Sequence, residues 1–218
     1  MSFQNNKVEL VGFYGGDETH ALSAWTSTSR ELTEDKKDRI PQLLKMLADK
    51  GHHSVFEKSS IHFLVTTDVA SHVHILKHRI GISVNAESAR YKELNDDKYY
   101  LPKDWPLAEQ AKYIAFMENA IMQYHDTLER LVDGGMSRKR AKESARFYLP
   151  YGNQITADVM FNWRSFNHFL GLRMKPDAQR EICWIAEEML KLVKEIPDSP
   201  FEHTIRAFNY ERYIDLAS

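Results

Sequence analysis

The segment from Lys77 to Tyr91 concentrates side chains that could bind a phosphate or a sugar. Its cations include Arg79 and Arg90, and a guanidinium can hold a phosphate through two parallel hydrogen bonds. Serine and asparagine side chains can complete such a contact, and Glu87 can accept a sugar hydroxyl or orient an arginine. Polar loops of this kind usually bind a ligand. A solvated loop would have the same composition, so the residues alone leave both interpretations open.

The histidines around this segment permit a second interpretation, a zinc site. His74 and His78 are four residues apart and therefore share one face of a helix, and His62 and His72 lie nearby in the sequence. However, the sequence contains no His-Glu-x-x-His pattern, and no obvious carboxylate stands at the short spacing of a third ligand. Surface or core histidines are therefore favoured over a metal-dependent hydrolase, and no metal ligand is predicted.

A basic run, Arg138 to Lys142, permits a third interpretation, a nucleotide- or RNA-binding module. The formal net charge of the chain is -2, so the molecule as a whole has no positive field of the kind that nucleic-acid-wrapping proteins carry. The solvated face of a helix explains the run more simply. No nucleic-acid partner is predicted.

The bulk properties of the sequence narrow the class of protein further. A length of 218 residues suits one domain, spanning 1–218. The one cysteine, Cys183, has apolar neighbours and is predicted to lie in the core, which leaves neither a disulfide nor a cysteine nucleophile. The first residues, Met1 to Lys7, lack a hydrophobic signal region, and no apolar run is long enough to cross a bilayer. We expect a cytoplasmic protein without a membrane partner.

The elements that must position the polar segment are a small sheet and many helices. Periodicity and capping signals predict strands over 8–14, 60–67 and 155–161, and helices over 17–25, 34–50, 69–78, 107–131, 137–147, 164–173 and 176–196. Asp17 is expected to cap the first of these helices, and Pro41 to start or kink the second. A capping box at Ser199-Pro200-Phe201-Glu202 is expected to open a last helix. The fold class is therefore α+β.

Four elements of the sequence, in order, resemble those of one known family. His78-Arg79, eight residues, Ser88 and then Arg90-Tyr91 resemble the signature of the flavin-dependent thymidylate synthases, with Lys77 in place of its first arginine. This substitution keeps the charge and loses the planar fork. The other elements are Gly51 to Glu57, which resembles Gly-His-x-Ser/Thr-x-Phe-Glu; Arg146 with Leu149-Pro150; and Asn162 to Arg173, followed by Ala178-Gln179 and Glu181-Ile182.

The resemblance implies a fold, a reaction and an assembly. The fold is a single domain in which long helices flank a small central, mainly antiparallel sheet. The reaction is the reductive methylation of dUMP to dTMP, with methylenetetrahydrofolate as the carbon donor and NADPH as the reductant through FAD. The assembly is a homotetramer with its active sites at the interfaces between subunits.

The resemblance also implies the roles of individual residues. The positions that match FAD contacts are Ser54, Lys77, His78, Arg79, Asn162 and His168. Those that match dUMP contacts are His74, Glu87, Ser88, Ala89, Arg90, Arg146 and Arg173. Arg173 is also the catalytic candidate, because a guanidinium beside N3 and O4 of uracil stabilises the negative charge that makes C5 nucleophilic. The flavin carries the redox chemistry.

Overall fold

Alternating apolar and polar residues form the main sheet of the protein. The computed structural model describes residues 2–3, 5–88 and 98–210. Within them, two short strands pair in parallel, and four strands form a mainly antiparallel sheet in the order β2-β3-β6-β4. The strands are β1 (Ser2–Phe3), β2 (Lys7–Tyr14), β3 (Ser60–Asp68), β4 (Ile82–Ala86), β5 (Lys98–Tyr99) and β6 (Gln154–Phe161). In β3, Ile61, Phe63 and Val65 are fully buried, because one face of the strand packs into the core.

The helices of the described residues follow the predicted segments closely. They are α1 (Asp17–Trp25), α2 (Glu34–Lys37), α3 (Ile40–Asp49), α4 (Val69–Leu76), α5 (Leu107–Asp133), α6 (Arg138–Ala145), α7 (Trp163–Arg173), α8 (Arg180–Lys194) and α9 (Glu202–Ala207), with the 3-10 helices η1 (His53–Glu57) and η2 (Arg146–Tyr148). Pro41 lies in the first turn of α3, where its missing N–H costs nothing. Side-chain caps begin α4 at Asp68 and α6 at Ser137. The predicted α+β class with a small, mainly antiparallel sheet is confirmed.

The chain groups into two compact units. The first unit comprises Met1–Lys7, Val65–Lys77 and Asn85–Ala157, and the second comprises Val8–Leu64, His78–Val84 and Asp158–Ser218. The boundaries between the units fall within β2, β3, β4 and β6 and just after α4. None of the helices in the described residues is both long and apolar enough to cross a membrane.

The core of the first unit is built around the long helix α5. Tyr99, Met117 and Ile121 form one buried cluster, and Tyr124 and Leu128 belong to a second one along the same helix. This spacing of three and four residues is the apolar face that the sequence predicts.

A buried carboxylate organises the polar interior of the first unit. Asp68 accepts hydrogen bonds from the backbone N–H of Ser71 at 2.8 Å, from Thr67 Oγ1 at 3.2 Å and from Asn6 Nδ2 at 3.4 Å. The buried carboxylate is therefore well satisfied, as a charge removed from water must be.

Aromatic side chains dominate the core of the second unit. Trp163 and Phe201 are both fully buried and stack with ring centroids 5.6 Å apart. Phe161 contacts Phe166 and Phe169 at 5.6 and 5.3 Å, so α7 packs against the end of β6 through these rings. The N-terminal half of α7 therefore has a fixed position within this unit.

Three local predictions are wrong. The composition of the segment after α4 predicts a loop, but Ile82–Ala86 forms the edge strand β4. Asp17 is the first residue of α1 rather than its cap, and its carboxylate accepts from the backbone N–H groups of His203 and Thr204, each at 2.8 Å. Consequently Ser199 is not the cap of α9, which begins without a cap from its preceding residue.

Cys183 also differs from its expected position in the core. It is only partly buried, and its thiol lies 3.5 Å from Glu187 Oε1. Burial and this carboxylate raise the pKa of Cys183 to about 11. The thiol is therefore protonated at neutral pH, which is consistent with the expectation that it is not a nucleophile.

Candidate active site

A tight turn in the second unit places part of the polar segment against the start of α7. The Gly81 carbonyl accepts hydrogen bonds from Asn162 N at 3.1 Å and from Ser165 Oγ at 2.6 Å. Gly81 has a φ of +69°, and a Cβ there would lie 2.6 Å from Asn162 Nδ2. Only glycine combines this backbone conformation with so close an approach. The turn that carries His78 and Arg79 is thus joined to the α7 N-terminus.

Asn162 has two functions at this helix start. Its Oδ1 accepts from Ser165 N at 2.8 Å and so caps α7, as the sequence suggests for an asparagine ahead of a helix. Within the described residues its Nδ2 group donates to no acceptor. The capped side chain therefore presents two N–H donors beside the positive end of the helix dipole.

His78 is the buried centre of the candidate site. The side chain is only 7 % exposed, and its ring contacts those of His168 and Phe169 with centroids 5.4 and 5.0 Å apart. Arg173 Nε donates a hydrogen bond to His78 Nε2 at 3.1 Å. This hydrogen bond requires a neutral imidazole that carries its proton on Nδ1.

Arg173 closes α7 at its other end. The residue is half-buried, and burial lowers the pKa of its guanidinium from the ordinary value. A guanidinium remains cationic at neutral pH even so. A partly desolvated cation interacts more strongly with a developing anion than one in water does, which suits the role expected for this arginine.

Other predicted flavin positions are on the surface. Ser54 lies in η1 and is exposed, as are Arg79 and His168. Lys77, in the first unit, is exposed at the end of α4. These side chains can therefore reach a ligand.

The predicted nucleotide positions of the first unit lie on several elements. Glu87 is joined to β6 twice: its N–H donates to Thr156 O, and its Oε2 accepts from Thr156 N, both at 2.9 Å. This pairing fixes the position of Glu87 beside β6. His74 is partly buried on α4, and Arg146 is exposed immediately after α6. Ala89 and Arg90 lie outside the described residues.

A contact that the sequence analysis missed joins two of the family-like elements. Arg164 Nη1 lies 2.5 Å from Glu57 Oε1, which connects the start of α7 to η1. Each residue stands inside a recognisable element, so the signal was present, but no local pattern pairs residues that are 107 positions apart.

The histidines form no metal site among residues 5–88 and 98–210. No group of three or more histidine, cysteine, aspartate or glutamate side chains is close enough to hold an ion there. His62 instead pairs with Asp158, its Nε2 lying 2.6 Å from the carboxylate. His72 is buried on α4, and burial lowers its pKa.

Comparisons with known proteins identify the family. Residues 9–211 match the family described as thymidylate synthase complementing protein. The flavin-dependent thymidylate synthase of Streptomyces coelicolor is 32% identical over 209 residues, covering 84% of this chain and 83% of that protein. The flavin-dependent thymidylate synthase of Thermosipho melanesiensis is 29% identical over 218 residues, covering 93% of this chain and 91% of that protein.

A solved structure is also similar to this chain over nearly its whole length. The UMP/dUMP methylase PolB from Streptomyces cacaoi, bound with 5-Br dUMP, is similar with a TM-score of 0.79 and 27% sequence identity, over 96% of this chain and 97% of that one. The structural similarity therefore extends over nearly the whole chain. This chain belongs to the thymidylate synthase complementing proteins, the family of the flavin-dependent thymidylate synthases.

Proposed function

We propose that this chain is a flavin-dependent thymidylate synthase that methylates dUMP to dTMP, with methylenetetrahydrofolate as the carbon donor and NADPH as the reductant through FAD. The hydrogen bond from Arg173 to His78 carries the proposal. It joins the proposed catalytic guanidinium to a proposed flavin contact, and the two residues come from motifs 95 positions apart. A direct contact between these two residues is expected in an enzyme that holds a flavin beside a pyrimidine.

The donors at the start of α7 fit a flavin dinucleotide. Asn162 Nδ2 offers N–H groups beside a helix N-terminus, which favours anions such as a diphosphate. Arg79 is exposed and cationic, and Ser54 and His168 add hydrogen-bonding groups at the surface of the same unit. Lys77 is proposed as a further contact. When bound, the flavin supplies the hydride-transfer chemistry of the reaction.

Arg173 has a separate task in this scheme, which is to activate the uracil ring. Its Nε–H is committed to His78, so the orientation of the guanidinium plane is fixed before substrate binds. The Nη groups of the same fork can then stabilise negative charge at N3 and O4 of the pyrimidine. Pre-orientation matters because no reorganisation is then needed as the charge develops.

The remaining nucleotide contacts are proposed for the first unit. They are Glu87, Ser88, Ala89 and Arg90, which are consecutive in the sequence, together with His74 and Arg146. The two hydrogen bonds between Glu87 and Thr156 hold Glu87 against β6. Arginine side chains here would bind the substrate phosphate.

We also propose that 1–218 acts as a single domain, that the protein is cytoplasmic and that it assembles as a homotetramer with active sites at the interfaces. Large apolar side chains on the surface support the assembly: Val11 and Phe13 of β2 are 56 and 45 % exposed, and Phe147 is 83 % exposed. Exposed apolar residues of this size commonly mark protein interfaces.

The visible absorbance spectrum of the purified full chain tests the proposal. We expect flavin bands, or their appearance after FAD is added and the excess removed. We also expect the bands to bleach with NADPH under anaerobic conditions and dTMP to form from dUMP when the folate is supplied. A chain that retains no flavin, or that retains it and forms no dTMP, would contradict the proposed activity.

A further inference from the structure

The ion pair between Glu57 and Arg164 joins η1 to the start of α7. The two charged groups are 2.5 Å apart, and they belong to segments separated by 107 positions in the sequence. Neither residue is among the proposed contacts to flavin or nucleotide. Their side chains are 35 and 55 % exposed, respectively.

The pair lies close in the chain to two proposed flavin contacts. A 3-10 helix has three residues per turn, so Ser54 and Glu57 share one face of η1. Arg164 is the second residue of α7, immediately inside the turn that Asn162 caps. The ion pair therefore connects the η1 face that carries Ser54 to the helix start that carries Asn162.

The folded backbone does not need this pair to bring η1 and α7 together. Phe56, next to Glu57, and Trp163, next to Arg164, are both fully buried. Both rings contact Phe208, at 4.9 and 6.2 Å between centroids. Exposed ion pairs contribute only about 0–1 kcal/mol to stability. What the pair does fix is the direction of the Arg164 side chain.

The helix dipole at the α7 N-terminus also favours a negative charge next to Arg164. A cation in the first turn of a helix is disfavoured by the helix dipole, and α7 has no acidic residue in its own first turn. Glu57 supplies the missing negative charge from another segment. Without it, Arg164 would be repelled from the helix start and would sample other directions.

We propose that Glu57 is a positioning residue of the flavin site, which acts through Arg164 to keep that cation oriented beside Asn162. The inference rests on the proposed function, since it assumes that a flavin binds at the start of α7. Glu57 itself touches no ligand in this scheme. Its effect is on the affinity for FAD and on the environment of the bound flavin, with little effect on folding.

The test is a titration of the full chain with FAD, followed by flavin fluorescence and by visible circular dichroism of the bound flavin. Glu57→Gln keeps the size of the side chain and removes its charge. We expect a dissociation constant for FAD that is about tenfold higher, the size of effect expected when a cation beside an anionic ligand loses its orientation. The circular dichroism of the bound flavin should change, and Glu57→Asp should restore part of the affinity.

Two comparisons separate positioning from a general structural effect. Glu202→Gln removes a matched exposed pair, Glu202 with Arg206 at 2.6 Å, and should leave FAD binding unchanged. In an Arg164→Ala background, Glu57→Gln should weaken FAD binding no further, because the two residues act as a unit. Thermal unfolding of Glu57→Gln and Glu202→Gln should be alike.

Each contrary result has a clear meaning. If Glu57→Gln binds FAD as tightly as wild type, or weakens binding equally with and without Arg164, the inference is wrong and the proposed function is untouched. If Glu202→Gln weakens binding as much, the effect is not specific and the inference is again wrong. If the wild-type chain retains no FAD at all, the proposed function fails and this inference fails with it.

Discussion

Arg173 Nε donates to His78 Nε2 over 3.1 Å, so the last residue of α7 is oriented by a buried imidazole. This hydrogen bond can form only when His78 is neutral, because a doubly protonated imidazole has no lone pair that could accept from Arg173. The proposed chemistry at the pyrimidine therefore depends on the neutral form of His78. Substitutions at Arg173 can separate the charge of this side chain from its geometry.

We expect Arg173→Ala to retain flavin and to lose turnover by about a hundredfold or more, as when one preorganised charge-stabilising donor is removed. Arg173→Lys should also be strongly impaired, since it keeps a cation but lacks the Nε–H and the planar fork. Steady-state formation of dTMP and the absorbance of bound flavin measure the two properties in one sample. Arg206→Ala, which removes an exposed arginine of α9, is the control. Wild-type turnover in Arg173→Ala would disprove the catalytic assignment.

Gly81 provides a test of the turn that precedes β4. Gly81→Ala forces a side chain into a φ of +69° and places its Cβ 2.6 Å from Asn162 Nδ2. We expect a loss of about 1–3 kcal/mol in the free energy of unfolding from the backbone strain alone. FAD affinity should fall as well, because Asn162 must move. Urea unfolding and FAD titration measure these effects.

Gly135→Ala is the matched control for this turn. Gly135 also has a positive φ, +91°, but a Cβ there would meet nothing within 4 Å. We expect this variant to lose stability by a similar backbone term and to bind FAD as wild type does. Equal FAD affinities for Gly81→Ala and wild type would show that the turn does not position a flavin contact.

One buried histidine, His20, makes a defined contribution to the pH dependence of stability. His20 is fully buried, with Nδ1 3.0 Å from Thr204 Oγ1 and Nε2 2.9 Å from Ser59 Oγ, and burial lowers its pKa to about 3 from 6.5. Between these values the unfolded chain binds a proton that the folded chain does not. The stability that His20 contributes is therefore fully present above pH 6.5 and is lost as the pH falls towards 3.

A substitution isolates this contribution. From pH 6.5 to 4.5, His20 alone should lower the free energy of unfolding by about 2–3 kcal/mol. His20→Gln can keep a donor and an acceptor for the two hydroxyls and does not titrate, so its stability should fall less over the same interval. Urea unfolding of both proteins at several pH values measures the difference. Parallel curves for wild type and His20→Gln would contradict the assignment to His20.

The sequence identified the helices, three strands of the sheet and the family, but not the contacts that assemble the site. Periodicity revealed α5 and β3 because each buries one regular face. The edge strand β4 was missed because Ile82–Ala86 is only five residues long, too short for its apolar-polar alternation to decide, and its pairing depends on β6, a distant segment. The motifs indicated His78 and Arg173 separately. Their hydrogen bond, like that of Glu57 with Arg164, depends on the tertiary fold.

At the start of α9, a local sequence pattern again fails to predict a long-range contact, and substitutions can test this. A local capping box predicts that Ser199 stabilises this helix, whereas the carboxylate of Asp17 accepts from His203 N and Thr204 N at 2.8 Å and from Thr204 Oγ1 at 2.5 Å. Burial raises the pKa of Asp17, and these hydrogen bonds oppose that shift. The carboxylate is therefore a buried acceptor that joins α1 to α9.

We expect Asp17→Ala to lose at least about 2 kcal/mol in the free energy of unfolding, because the helix loses its cap and buried donors lose their acceptor. Ser199→Ala should change stability by less than about 0.5 kcal/mol, since its side chain caps nothing. Urea unfolding of the two variants at neutral pH makes the comparison. A larger loss for Ser199→Ala than for Asp17→Ala would restore the local capping box and refute the long-range cap.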